Sequence, residues 1–209
     1  MTDWATISSL TTAGATLVLA VATFASVRSA NRSARTAERA LQAGLRPVLM
    51  PSRLEDPPDK IAWADEHWTR LPGGRGVVEV VDGTIYLAMS LRNVGAGIAV
   101  LQGWHPQFEV RPNLAYAEPG QFRRLVRDLY VAAGDVGFWQ GAVRDHDDPF
   151  RAGLCAAIQQ RRRFLVDLLY SDHEGGQRTI SRFSLNPRDG DEWLCAVSRH
   201  WNLDRPDPR

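Results

Sequence analysis

The sequence predicts a mainly β protein: one long amino-terminal helix that crosses a membrane, then a β-sandwich (Ig-like) domain carrying one short inserted helix. Three observations predict it. Residues 4–27 carry no charged side chain, and Arg28, Arg32, Arg35, Arg39 and Arg46 follow them. From residue 45 onward, short apolar or alternating runs are separated by Gly, Pro and Asp turns, which is the pattern of many short strands.

The uncharged run, WATISSLTTAGATLVLAVATFASV, has 24 residues. As a helix it is roughly 36 Å long, against about 30 Å for a hydrocarbon core. Eight Ser and Thr side chains lower its hydropathy, but helical hydroxyls can bond back to the preceding turn. A cleaved secretory signal has its basic residues before the apolar run; here they come after it, opposed only by Glu38. Positive charge beside a span stays on the cytoplasmic side. The expectation is therefore a single pass through the inner (plasma) membrane, amino terminus outside and the following domain in the cytoplasm. Gly44 and Pro47 end the helix. The layout is residues 1–44 for the span (about 4–27) and its Arg-rich stalk, 45–203 for the sandwich, and 204–209 for a polar tail.

At 100° per residue, Ile7, Leu10, Leu17, Val18, Val21 and Phe24 gather on one side of this helix, and Arg28, Arg32, Arg35 and Arg39 continue it. The other side collects Ser9, Thr12, Thr16, Ala20 and Thr23, then Ala30, Ala34, Ala37 and Leu41. A bulky face suits lipid and the arginines suit anionic lipid headgroups. The small seam allows a second helix to approach, so a parallel homo-oligomer is expected.

Within the domain, Leu45–Pro51 reads as an incoming strand, with short extended pieces at Ile61–Ala64 and His67–Leu71. Gly76–Val81 and Thr84–Arg92 flank Asp82-Gly83, a hairpin turn. Asn93–Gly97 reads as a tight connection whose glycines are free to take positive φ. Further strands are expected at Ile98–Trp104, Phe108–Arg111, Phe122–Val131 and Val136–Val143. A helix is expected from Pro149 to about Gln160 with Asp148 as N-cap. A hairpin of Phe164–Tyr170 and Thr179–Leu185 and a final strand Trp193–Trp201 complete the domain.

Charge divides unevenly. Residues 28–46 carry net +4 and residues 47–209 net −2, so the domain is not built to bind nucleic acid. Cys155 and Cys195 have no ligand spacing and are expected as thiols. Asp145-His146-Asp147-Asp148 and Asp172-His173-Glu174 offer carboxylate and imidazole donors, with His105 and His200 elsewhere. Both clusters fall at turns, where Asp and His also serve local hydrogen bonding. There is no HExxH, GxSxG, Walker or dinucleotide-binding motif. No catalytic residue, cofactor or metal is assigned. Seven tryptophans are present; Trp4 suits the outer membrane interface, and most of the rest are expected in the core.

Three short motifs stand out: Leu45-Arg46-Pro47 leaving the helix, Leu91-Arg92-Asn93-Val94-Gly95-Ala96-Gly97-Ile98-Ala99 after a strand, and Tyr170-Ser171-Asp172 with Gly175-Gly176 before Phe183. On these the chain resembles uncharacterised bacterial single-span membrane proteins with an amino-terminal anchor and a β-sandwich behind it. The resemblance implies membrane anchoring and the fold class, with Asn93 capping the glycine turn and Asp172 starting a hairpin loop. It implies no activity.

The expected function is a cytoplasm-facing interaction or scaffold module that recruits an unknown protein partner at the membrane. The alternative is a membrane-tethered metal-dependent hydrolase or small-ligand sensor using Asp145, His146, Asp172 and His173.

Overall fold

The computed structural model describes residues 4–108 and 115–205. It divides into two compact units, Met1–Gly44 and Leu45–Arg209. In the first, α1 (Trp4–Gly44) is one unbroken helix. Ala13–Glu38, of mean hydropathy 1.4, is long and apolar enough to cross a membrane, and no part of it is buried. The hydroxyls of Thr23 and Thr36 donate to the carbonyls of Leu19 and Arg32, at 2.8 and 3.0 Å. These two hydroxyls thus satisfy themselves within their own turns.

The second unit is mainly β. Its strands are β1 (Leu49–Pro51), β2 (Asp59–Ala62), β3 (Trp68–Leu71), β4 (Arg75–Val81), β5 (Thr84–Asn93), β6 (Ala99–Gln107), β7 (Arg123–Val131), β8 (Val136–Val143), β9 (Phe164–Ser171), β10 (Thr179–Pro187) and β11 (Trp193–Asn202). α2 (Arg151–Gln159) lies between β8 and β9. All pairings are antiparallel. Nine strands form one sheet in the order β8-β5-β4-β11-β10-β9-β6-β7, with β1 pairing the far end of β5.

The two layers expected of a sandwich are halves of this one curled sheet. They join where β4 meets β11, at only two pairs, Gly76 with Trp193 and Arg75 with Leu194. Period-two alternation sends Ile85, Leu87, Met89 and Leu91 inward from β5, and Phe164, Val166, Leu168 and Tyr170 inward from β9. The halves meet at Trp104 and Trp139, whose rings are 5.3 Å apart and edge-on. Each outer face is covered too. The β2–β3 hairpin packs Ile61, Trp63 and Leu71 on Val77, Tyr86 and Ala88. Tyr116 and Ala117 pack on Phe122, Leu169, Ile180 and Trp201.

Most strands fall where the sequence places them, and Asp82 and Gly83 take the positive φ values (47° and 78°) of a primed hairpin turn. Four details differ. The incoming strand is only Leu49–Pro51, because residues 45–48 are held by loop contacts instead of a ladder. Gly95 and Gly97 do not take positive φ. They are glycines because a Cβ at either would overlap the backbone carbonyls of Arg46 and Leu45, respectively. α2 begins at Arg151, so Asp148 is not its N-cap; the Asp148 carboxylate instead accepts from the Phe150 N–H at 2.9 Å and pairs with Arg123. β6 runs on to Gln107, and the strand expected at Phe108–Arg111 lies mostly outside the described residues, as does most of the 204–209 tail.

Candidate functional site

The motifs singled out in the sequence come together at the start of the domain. Asn93 is fully buried at the end of β5. Its side-chain oxygen accepts from the N–H groups of Val48 and Gly95, at 3.1 and 3.0 Å. Its amide nitrogen donates to the carbonyls of Gly97 and Val131, at 2.6 and 3.0 Å. One carboxamide thus uses all of its bonding directions to tie the incoming segment, the glycine loop and β7. Beside it, the Leu49 N–H donates to the Tyr170 hydroxyl at 3.2 Å, and Arg46 bonds the side chain of Asn202.

The Tyr170 hydroxyl also meets Ser181 Oγ at 2.8 Å, and that oxygen lies 2.6 Å from His200 Nδ1. A Ser–His contact invites a catalytic reading, which no sequence motif suggests. Ser181 is 0 % exposed, however, and its oxygen already bridges two partners. Burial, helped by the Arg46 charge, holds the His200 imidazole below its usual range. A substrate cannot reach this serine, so the chain is structural.

The Asp145/His146 and Asp172/His173 loops do not assemble a joint site. The Asp145 carboxylate accepts from the Asp147 N–H at 3.0 Å. Asp172 accepts from the Gly176 N–H at 2.8 Å and the Gln177 amide at 3.2 Å, closing the β9–β10 turn as a local cap. His146 lies against Gly83. Among the described residues, no group of three or more His, Cys, Asp or Glu side chains is placed to hold a metal ion. Cys155 and Cys195 are free thiols packed on the core, and burial pushes the Cys195 thiol up to about 12. Trp63, Trp104, Trp139, Trp193 and Trp201 are buried, whereas Trp68 is exposed and carries Lys60 over its ring.

The feature that sequence reading missed is a cleft where the curled sheet fails to close. β7 pairs with β6 at Leu129–Leu101 and again at Arg124–Gly103, so Leu125–Asp128 bow away from the ladder. β8 pairs only with β5 among the described strands. Between β7 and β8 lies a cleft of about 440 Å³ whose walls include Trp63, Trp104, Leu125, Leu129 and Ala142. A Cβ on Gly141 would sit 2.9 Å from the Trp139 ring and 3.0 Å from the Trp104 ring, so glycine there lets both indoles pack beneath the cleft.

Arginines edge this cleft. Arg123 pairs with Asp148 and lies over the Trp104 ring at 5.2 Å. Arg144 donates to Asp65 at 2.8 Å. Burial opposes ionisation of Asp65, but the bonds from Arg144 and the Tyr86 hydroxyl outweigh it and hold the carboxyl at about 2. Arg127 donates to the Gln140 side-chain oxygen at 3.2 Å. Asp145 is the one carboxylate in the described lining, which includes no His or Cys. Such a surface can hold a ligand by apolar contact and charge, but it presents no nucleophile–base pair. A three-residue register break is a tertiary event, and no local signal in Leu125–Asp128 announces it.

Comparison with protein-family models finds no match, and neither curated proteins nor solved structures give a significant one.

Proposed function

We propose that this chain is a membrane-anchored, non-catalytic binding module. In this reading α1 crosses the inner membrane once, its arginine-bearing end lies at the cytosolic leaflet, and the β domain works in the cytoplasm. The observation that carries it is the unburied apolar stretch Ala13–Glu38 running within one continuous helix up to the start of a separate β unit. An apolar helix with no packing partner in its own unit needs lipid or another helix around it. The order of charge supports the orientation. Arg28, Arg32, Arg35 and Arg39 engage anionic headgroups, each worth about 1 kcal/mol near such a surface. The small-residue side of the helix pairs with a second copy. The domain recruits its partner through the β7–β8 cleft, since the described residues there offer recognition chemistry without catalytic chemistry.

Membrane extraction and protease accessibility test this together. The full chain with a carboxy-terminal tag should stay in the pellet after alkaline carbonate. Its domain should resist protease added to intact cells and be digested in inverted vesicles. Release by carbonate, or digestion from outside, would overturn the reading.

A further inference from the structure

The cleft between β7 and β8 has a composition that names its ligand class. One side of it is apolar and largely aromatic. Trp63 lies buried in its wall, and its indole N–H is already committed to the Gly141 carbonyl at 3.1 Å, so it offers a ligand no donor. Trp104 and Leu125 add an indole and an aliphatic wall. The other side is basic, and its charges are unequal. Arg123 and Arg144 are matched by Asp148 and Asp65. Arg124 lines the same cleft, is exposed, and has no carboxylate partner among the described residues. Among the described residues, Arg127 reaches a neutral amide, that of Gln140, and the face of Phe138 at 5.7 Å. Among the described residues, neither of these two arginines beside the cleft is ion-paired to a carboxylate. A volume of about 440 Å³ falls in the range of small-molecule sites.

We propose that this cleft binds an amphiphilic organic anion, its flat or alkyl body against Leu125, Leu129 and Ala142 and its single acidic group held by Arg124 and Arg127. Guanidinium forks suit a carboxylate, sulfonate or phosphate end through paired, charge-assisted hydrogen bonds. Asp145, also in the lining, disfavours a ligand with negative charge along its whole length. The inference rests on the binding-module reading for the use of this cleft, but not on membrane orientation.

The test is isothermal titration of the full chain in lipid nanodiscs with 2-naphthoate, against its neutral isostere 2-naphthamide and against empty discs. Naphthoate should bind one per chain, quench tryptophan fluorescence saturably, and bind at least about tenfold tighter than the amide, the minimum expected of a charge-assisted contact. Arg124→Gln/Arg127→Gln, both on the strand surface, should remove that preference while leaving the melting temperature unchanged. Leu125→Glu should abolish binding of both probes. Equal affinity for acid and amide, full affinity in the double variant, or no saturable binding would each overturn the proposal. Failure here with carbonate-resistant, protease-protected protein would leave the module reading standing. Binding by protein that carbonate extracts would do the reverse.

Discussion

Arg182 meets Asp167 through two parallel hydrogen bonds of 2.7 Å each, on a sheet face that solvent does not reach. The pair sits in register on β10 and β9, opposite His105 on β6. Gln107 donates a further bond to the carboxylate at 2.9 Å, Arg182 donates to the Ala115 carbonyl at 3.2 Å, and the Trp201 ring lies against the guanidinium at 4.8 Å. Burial pushes the Asp167 carboxyl upward, and the Arg182 bonds pull it back only in part. Breaking such a pair strands a buried charge, whereas replacing both members with apolar groups is nearly neutral.

Arg182→Met is therefore expected to destabilise the domain by about 3–5 kcal/mol, and Asp167→Leu/Arg182→Met to return within about 1 kcal/mol of the parent. The defect of the single variant should shrink as pH falls. Its stranded carboxyl has a folded pKa above the unfolded one, so the folded state takes up the extra proton and gains stability on acidification. Urea unfolding at several pH values, followed by tryptophan fluorescence, measures both effects.

Asn93 and Gly97 make a second prediction. Asn93→Ala leaves the partners of four hydrogen bonds unmet in a buried place, which should cost about 3 kcal/mol or more. Gly97→Ala forces a Cβ into the Leu45 carbonyl and is expected to cost about 2–4 kcal/mol. Gly120→Ala, where nothing lies within 4 Å, serves as the control and should be close to neutral. Melting temperatures of the three variants decide the order.

These residues also show how far the sequence could be read. Asn93 and the glycines were visible as a turn, and Asp172 as the start of a hairpin loop, because local spacing carries that chemistry. What spacing does not carry is that Gly95 and Gly97 are small for the sake of Arg46 and Leu45, far away in the chain. The apolar alternation of β5 was legible for the same reason that it folds, since one face of Ile85–Leu91 must be buried. Asp167 and Arg182 looked like ordinary charged residues in strands. Only the strand register brings them together, and Trp201, packed with Tyr116 and Phe122, lies over the guanidinium on the face they share. The β7–β8 cleft was illegible because it arises from a failure of pairing, which depends on the partner strand and not on residues 125–128 alone.

Asp65 gives the acid limb of stability. Its folded pKa of about 2 lies below the ordinary aspartate value of 3.8. The folded state thus binds fewer protons than the unfolded chain between those values. Its stabilising contribution is complete above about pH 4 and is lost as pH falls toward 2. Asp65→Asn should flatten that part of the stability profile, and carboxyl NMR should find the wild-type group titrating near pH 2. Because Asp65 also anchors Arg144 and the Tyr86 hydroxyl, the same variant should loosen the loop between β2 and β3, read as faster amide exchange there.

The last prediction concerns α1, where every side chain from Ala13 to Glu38 is exposed within its own unit. Leu17 and Phe24, 67 % and 69 % exposed, lie on the bulky side, which lipid can cover. Ala20 and Ala34 lie on the small side about 21 Å apart along the axis, so bulk at both positions would hold a second helix away over most of the seam. Ala20→Leu/Ala34→Leu should convert an oligomer to monomer in native nanodiscs, read by mass photometry or crosslinking. Leu17→Ala/Phe24→Ala, on the opposite side, should leave the stoichiometry alone. An oligomer untouched by the first pair and dissolved by the second would place the contact on the bulky face, and a monomer in the parent protein would remove the seam altogether.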